Sequence, residues 1–192
     1  MDKVGKEGVI TVEESQTFRP GIEASLAPFV IRPQQADDID AVVAPSLRAW
    51  QPVFESMGHV LGPRLNRIAY PDWAAGQARA VEAVCRDEGI KVWVAEIDTQ
   101  PVGFVAVAFH DDPRSAEIDM IAVDPDQQCR GIGSALLASA LNRISAAGIH
   151  LAHLGTGGDP GHAAARHTYE KAGFTALPLV HYYKELPAVR AN

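Results

Sequence analysis

The stretch best equipped for chemistry runs Val123-Asp124-Pro125-Asp126-Gln127-Gln128-Cys129-Arg130-Gly131-Ile132-Gly133-Ser134. A strand-like apolar run ends at Val123, and an apolar helical period starts immediately after the glycines. A helix beginning there leaves backbone N–H groups without intrahelical partners, and its dipole favours an anion. Gly131 and Gly133 let a ligand reach the main chain with no Cβ in the way. Arg130 adds a positive charge, so the segment reads as a cradle for a phosphate or pyrophosphate. The glycines alone would equally suit an ordinary strand–turn–helix junction. A P-loop needs a lysine after its last glycine, where this chain has Ser134, and a dinucleotide fingerprint needs a third glycine, where it has Leu136.

Other residues invite proton chemistry. Glu117 and Asp119 lie two apart in a predicted strand, which turns both to the side of Ile121 and Val123. Two carboxylates on one face can raise each other's pKa and hold a base near neutrality. They can also bind a cationic amine, or simply face water at a strand end. The seven histidines do not read as a metal centre. His150 and His153 are three apart in a strand and so face opposite sides, and His162 and His167 are five apart on a helix, a poor spacing for shared ligation. HExxH and Cys/His clusters are absent from the sequence, and the expectation is no metal.

The elements that must position these residues follow from pattern. Residues 1–27 read as a flexible N-terminal extension, 28–187 as a single domain and 188–192 as a C-terminal tail. Pro28 to Pro33 is a short strand closed by proline, and Asp37-Asp38 marks a helix start. Pro45, Pro52 and Pro63 break the region that follows into helices and loops. A helix runs from about Trp73 to Asp87, closed by Gly89. Two strands, 91–97 and 102–109, make a hairpin around Asp98-Thr99-Gln100-Pro101, and a third strand runs 116–123. The helix from Gly131 to Gly148 crosses over to a parallel strand at 149–154. A short helix over 162–172 is followed by two last strands, 174–177 and 179–186. The fold class is therefore α/β, with a mixed sheet.

Composition bounds the rest. With 192 residues, 47% of them hydrophobic and 21% charged, the chain can bury a sizeable core. A net charge of −7 argues against nucleic-acid or anionic-membrane partners. It either keeps the protein soluble or favours a cationic partner. Two cysteines, Cys85 and Cys129, are too few for a disulfide framework, and the expected location is the cytoplasm.

Gln128-Cys129-Arg130-Gly131-Ile132-Gly133 matches Q-x-x-G-x-G and resembles the acetyl-CoA pyrophosphate loop of the GNAT superfamily of N-acetyltransferases. Tyr169-Glu170-Lys171-Ala172-Gly173-Phe174 looks like that family's Y-E-K-x-G-F signature. GIGSALL over 131–137 and Pro101-Val102-Gly103-Phe104 extend the likeness, which covers about residues 28 to 186. The resemblance implies a mostly antiparallel mixed sheet whose parallel pair, about 116–123 and 149–154, splays to admit the pantetheine arm, with helices on the flanks. It implies acetyl-CoA as co-substrate and transfer of the acetyl group to a primary amine, of a small molecule or a peptide, by direct attack in a ternary complex. Main-chain groups of Ile121, Ala122 and Val123 would meet the pantetheine. Gln128, Cys129, Arg130, Gly131, Ile132, Gly133 and Ser134 would hold the pyrophosphate, although a thiolate at Cys129 is physically open as well.

By the same resemblance Tyr169 is the general acid for the leaving thiolate, against a plain core tyrosine, and Glu117 the base. Asp119 would attract the amine. His162 stands where the family commonly has Asn, and it could bind CoA, assist a proton transfer or cap its helix. Trp50 and Phe54 lie in the segment that covers the acceptor pocket, where they would line it or form the core beneath. Family habit allows a homodimer. A non-catalytic acyl-CoA-binding sensor with the same fold is the rival reading, and a nucleotide-binding module a more distant one.

Overall fold

The computed structural model describes residues 28–111 and 114–187, together with the backbone of residues 10 and 11. The expected C-terminal tail, 188–192, and most of the expected N-terminal extension lie outside the described residues. Six strands form one sheet in chain order: β1 (Ile10–Thr11), β2 (Val30–Pro33), β3 (Ile90–Ile97), β4 (Gln100–Asp111), β5 (Arg114–Val123) and β6 (Ala152–His153). Every neighbouring pair is antiparallel except β5 and β6, which are parallel. This is the mixed, mostly antiparallel sheet anticipated above. Asp98 and Thr99 turn the β3–β4 hairpin with φ of 48° and 66°, the positive pair a two-residue turn between right-twisted strands requires.

Two helical layers cover the sheet. Helix α3 (Ile132–Ala146) buries Ile132, Leu136, Leu137, Ala140 and Ile144 on the face that carries Val105, Val107, Ala116 and Ile118. Each fully buried Leu or Ile there contributes about 1.5–3 kcal/mol. Tyr169, from α4 (Ala163–Lys171), and Phe174 pack on the same face. The opposite face, with Val94, Phe104, Ala106 and Ala122, is covered by Val42, Ala49 and Trp50 of α1 (Ile39–Ala69) and Val81 and Val84 of α2 (Trp73–Arg86).

Three expectations are corrected. Helix α1 runs through Pro45 and Pro52 and breaks only at Gly62, with φ 74° and ψ 163°, ahead of Pro63. Each of the first two prolines costs a helical hydrogen bond, yet α1 lies against the sheet with Val42 and Ser46 buried, and packing overrides propensity. The parallel strand expected over 149–154 is only Ala152–His153, because it meets β5 at two residues and then departs. Finally, residues 174–187 form neither of the two last strands. Phe174 packs on the α3 side, and residues 183–185 lie beside the end of α1, where the Tyr183 and Tyr70 hydroxyls are 3.0 Å apart and Glu185 pairs with Arg64. Alternation in a sequence shows that a segment can be a strand, not that an edge is within its reach.

A fourth difference bears on chemistry. Ala106 pairs with Met120 but Val107 pairs with Ile118, so β5 has one residue more than β4 there. Asp119 is that extra residue, a β-bulge. Before it, Ala116 and Ile118 face α3; after it, Ile121 and Val123 do. Glu117 is therefore on the α1/α2 face, with its partner Ala108, and not on the side of Ile121 and Val123 as strict alternation predicts.

Candidate functional site

The parallel pair is held by two register positions, Ala116 with Ala152 and Glu117 with His153, and by the Ala116 N–H donating to the Leu151 carbonyl at 2.9 Å. Beyond Glu117 the remainder of β5, to Val123, has no register partner in β6. A gap with an open strand edge results, and its edge includes Ile121, Ala122 and Val123. The sheet edge of β5 is one wall, and main-chain N–H and C=O groups along it need partners from elsewhere.

The glycine turn closes one end of this gap. The Gln128 side-chain amide donates to the Val123 carbonyl at 3.1 Å, tying the loop back to the strand it leaves. Arg130 donates to the Gln127 side-chain oxygen. Cys129 has φ 59° and is exposed. Gly131 is the N-cap of α3 with φ 80°, and no side chain caps the helix. A Cβ at Gly131 would meet nothing within 4 Å, so the space beside it is clear. The N–H groups of Ile132, Gly133 and Ser134 thus open the helix without a capping side chain, a geometry suited to a pyrophosphate. Gly103 on β4 sets the strand end beneath: a Cβ there would sit 2.9 Å from the Ala122 carbonyl oxygen and 3.2 Å from Val123 Cγ2. From α1, Arg48 pairs with Asp124 at 3.2 Å and Asp126 at 2.6 Å, bracing the loop across the sheet end. Sequence reasoning missed Arg48; nothing local to it signals a partner so far along the chain.

On the α1/α2 face, Glu117 is half-buried and His110 Nε2 lies 3.6 Å from its carboxylate. The His110 and His153 rings stack with centroids 6.1 Å apart. Asp119 is exposed at the bulge, and its pKa is raised, mainly by desolvation and further by the charge of Glu117. The charge of Glu117 thus reaches Asp119 across the kinked strand.

Tyr169 is packed against the α3-side core, with its ring edge-on to Phe174 at 6.2 Å. Burial pushes its phenol pKa up, which keeps the proton on at neutral pH. His162 does not cap α4 with its side chain. Its Nδ1 meets the Asp159 carboxylate instead. Burial pushes Asp159 upward, but hydrogen bonds with Ser56 and His162 outweigh it and hold the carboxyl below its ordinary value. The Gly161 N–H donates to Ser56 Oγ at 2.9 Å, and Arg166 donates to the Gly157 and Asp159 carbonyls. Asp159, Ser56 and Arg166 therefore fix the His162 loop against α1.

The aromatic residues of α1 are engaged by rings outside the helix. Trp50 lies against Phe104 with centroids 6.3 Å apart. Phe54 stacks on Trp73 at 4.6 Å and meets Tyr70 edge-on at 5.5 Å. Beside them a cleft of about 550 Å³ opens between α1 and the 160–161 turn, lined by Pro52, Ser56, His59 and Gly161.

A strand edge parted from its neighbour, a glycine turn opening a helix at its end and a half-buried tyrosine from the following helix define an acetyltransferase-type domain. The profile described as the Acetyltransferase (GNAT) family matches residues 53–174, well over half of the chain, and the chain belongs to that family. Among curated relatives, mycothiol acetyltransferase from Sanguibacter keddieii is 28% identical over 183 residues, covering 88% of this chain and 55% of the relative. Mycothiol acetyltransferase from Rhodococcus erythropolis is 28% identical over 160 residues, covering 74% and 52%. The chain thus spans about half the length of these relatives. The fold is shared with the PaiA N-acetyltransferase from Thermoplasma acidophilum in complex with coenzyme A, at TM-score 0.56 and 17% identity, covering 77% of this chain and 89% of that one. It is also shared with an aminoglycoside acetyltransferase from an uncultured soil metagenomic sample, at TM-score 0.57 and 17% identity, covering 83% and 97%. Among the described residues, no helix is long and apolar enough to cross a membrane.

Proposed function

We propose that this chain is an acetyl-CoA-dependent N-acetyltransferase that passes the acetyl group to a primary amine by direct attack in a ternary complex. The observation that carries the reading is the parting of β5 from β6 immediately after Glu117 and His153, with the uncapped N-terminus of α3 at the end of the gap. Acetyl-CoA fits that arrangement. The pyrophosphate would lie on the main chain of residues 129–134, beside Gly131, with Gln128 holding the loop. The pantetheine would run along Ile121, Ala122 and Val123, and an N–H on that edge would polarise the acetyl carbonyl. His162 would border the pantetheine, held by Asp159.

In the reaction the amine nitrogen bonds to the acetyl carbon, the carbon–sulfur bond breaks, and the thiolate takes the Tyr169 proton. A phenol kept protonated by burial suits that task. The proton lost by the amine goes to Glu117, directly or through water, on the α1/α2 face. Asp119 draws the cationic acceptor toward the same side, and Trp50 and Phe54 back the pocket wall rather than stack on the acceptor. The curated relatives are mycothiol acetyltransferases, which favours a small-molecule amine over a protein one.

The test is a screen of small amines and peptides with acetyl-CoA, reading free thiol. The expected outcome is CoA release that depends on one class of small amine. Tight acetyl-CoA binding with no turnover across the panel would overturn the enzyme and leave an acyl-CoA sensor.

A further inference from the structure

The same sheet end carries a cluster that sequence spacing hides. We propose that His110, Glu117 and His153 form a binding site for a divalent transition-metal ion of the zinc type. The three come from β4, β5 and β6. Glu117 is in register with Ala108 on one side and His153 on the other. His110 is two residues beyond Ala108, so all three side chains leave the same face of the sheet. The ligand atoms, one from each residue, all lie within 4.8 Å of one another.

The chemistry of the set is specific. Two imidazoles and one carboxylate suit zinc and its neighbours, whereas magnesium and calcium take oxygen ligands. A zinc ion binds such atoms at about 2.0–2.2 Å, so its ligands stand roughly 3–4 Å apart. His110 Nε2 and the Glu117 carboxylate, at 3.6 Å, already stand at that spacing. That separation is too long for a hydrogen bond, so the carboxylate is near the imidazole without being bonded to it. Neither His110 nor Glu117 is enclosed: their side chains are 44% and 39% exposed, which leaves a path for the ion and room for a water as fourth ligand. Three strands of one sheet hold the donors, a more rigid frame than a loop.

The site stands independently of the activity proposed above. Its consequence rests on that activity: Glu117 as a metal ligand is withdrawn from taking the amine's proton.

The experiment is calorimetry of the chelator-treated full chain with zinc chloride, in the absence of acetyl-CoA and acceptor, together with visible absorption after cobalt(II) addition. One equivalent per chain and a cobalt spectrum of low coordination number are expected. His110→Ala, His153→Ala and the isosteric Glu117→Gln should each weaken zinc by more than the roughly 10–100-fold that losing a hydrogen-bond partner of a metal ligand costs. His150→Ala should bind as wild type does. Absence of stoichiometric zinc binding to the wild type, or full retention of it in His110→Ala and His153→Ala, overturns the site whether or not the chain acetylates anything.

Discussion

Glu117 of β5 and His153 of β6 are the last residues the two parallel strands share in register. The pair is a fork. On one side of it the strands are a normal ladder, and on the other β5 runs on alone to Val123 and the glycine turn. On the function proposed above, the carboxylate at the fork is the proton acceptor for a reaction in the gap. The fork is also a consequence of length: β6 is two residues long, so it cannot follow β5 further.

Tyr169→Phe should lower kcat by roughly 10²–10³-fold, within the range that a positioned general acid contributes. The ring keeps its contact with Phe174 and its place against the core, so stability and acetyl-CoA affinity should hold. Steady-state kinetics with an acceptor from the screen, beside calorimetry with acetyl-CoA, separates the two. Full activity in the variant would remove Tyr169 from the chemistry.

Gly131→Val should abolish acetyl-CoA binding. A β-branched residue at φ 80° is strained, by about 1–2 kcal/mol or more for the left-handed region, and its methyls enter the clear space beside the helix N-terminus. Circular dichroism should show the fold intact while calorimetry shows no acetyl-CoA binding. Unchanged binding would mean that the turn is only a turn.

The family was legible because its two signatures are local: a Q-x-x-G-x-G run and Y-E-K-x-G-F each sit on contiguous residues. Helix α3 was legible for the same reason, its apolar period surviving as a buried stripe. What failed was long-range. The bulge at Asp119 comes from pairing with β4, and period-2 counting cannot see an inserted residue. The 174–186 strands failed because alternation does not supply an edge. Helix α1 defied its prolines because its face is buried. The His110–Glu117–His153 cluster was invisible because its members come from three strands, while spacing rules look for ligands within one element.

Gly103→Ala should destabilise the domain by about 1–3 kcal/mol, as overpacking in a well-packed core does. The new Cβ would meet a carbonyl oxygen of the neighbouring strand at 2.9 Å and two core side chains at 3.2 and 3.3 Å. Backbone cannot step aside as a flexible side chain can. Denaturant titration should show a lower midpoint, and acetyl-CoA affinity should fall with it, since Val123 leads into the cradle.

Arg32 ties the start of α1 to the sheet, donating to both Asp38 oxygens at 2.6 and 2.8 Å and to Glu96 at 2.7 Å. The guanidinium holds the Asp38 carboxyl below its ordinary value, against desolvation and with help from the Gln35 N–H. A folded pKa below the unfolded one contributes stability that is present above the unfolded value, near 3.9, and lost as pH falls through the folded one. Asp38→Asn should therefore cost about 1.5–3 kcal/mol at neutral pH, the usual worth of hydrogen bonds to a charged group. The cost should shrink in acid, where wild type and variant converge. A pH-independent difference would mean that packing, not charge, holds this corner.

The bulge gives the sharpest test of how the sheet aims the site. Asp119 is the one residue of β5 with no partner between Ile118 and Met120, which oppose the adjacent residues Val107 and Ala106. Deleting Asp119 joins Ile118 to Met120 and restores a regular ladder with every core side chain still on its own face. The deletion should therefore fold, with a melting temperature within a few degrees of wild type. Bulges re-aim and bend the strand that carries them. Straightening β5 moves Glu117 relative to the open edge at Ile121 to Val123, and a misplacement of about 1 Å can cost on the order of 10²-fold in rate. Asp119→Ala keeps the bend and loses only the charge, so it should raise the acceptor KM while sparing kcat. Equal loss in both variants would put the effect in the carboxylate; loss of kcat in the deletion alone would put it in the shape of the strand.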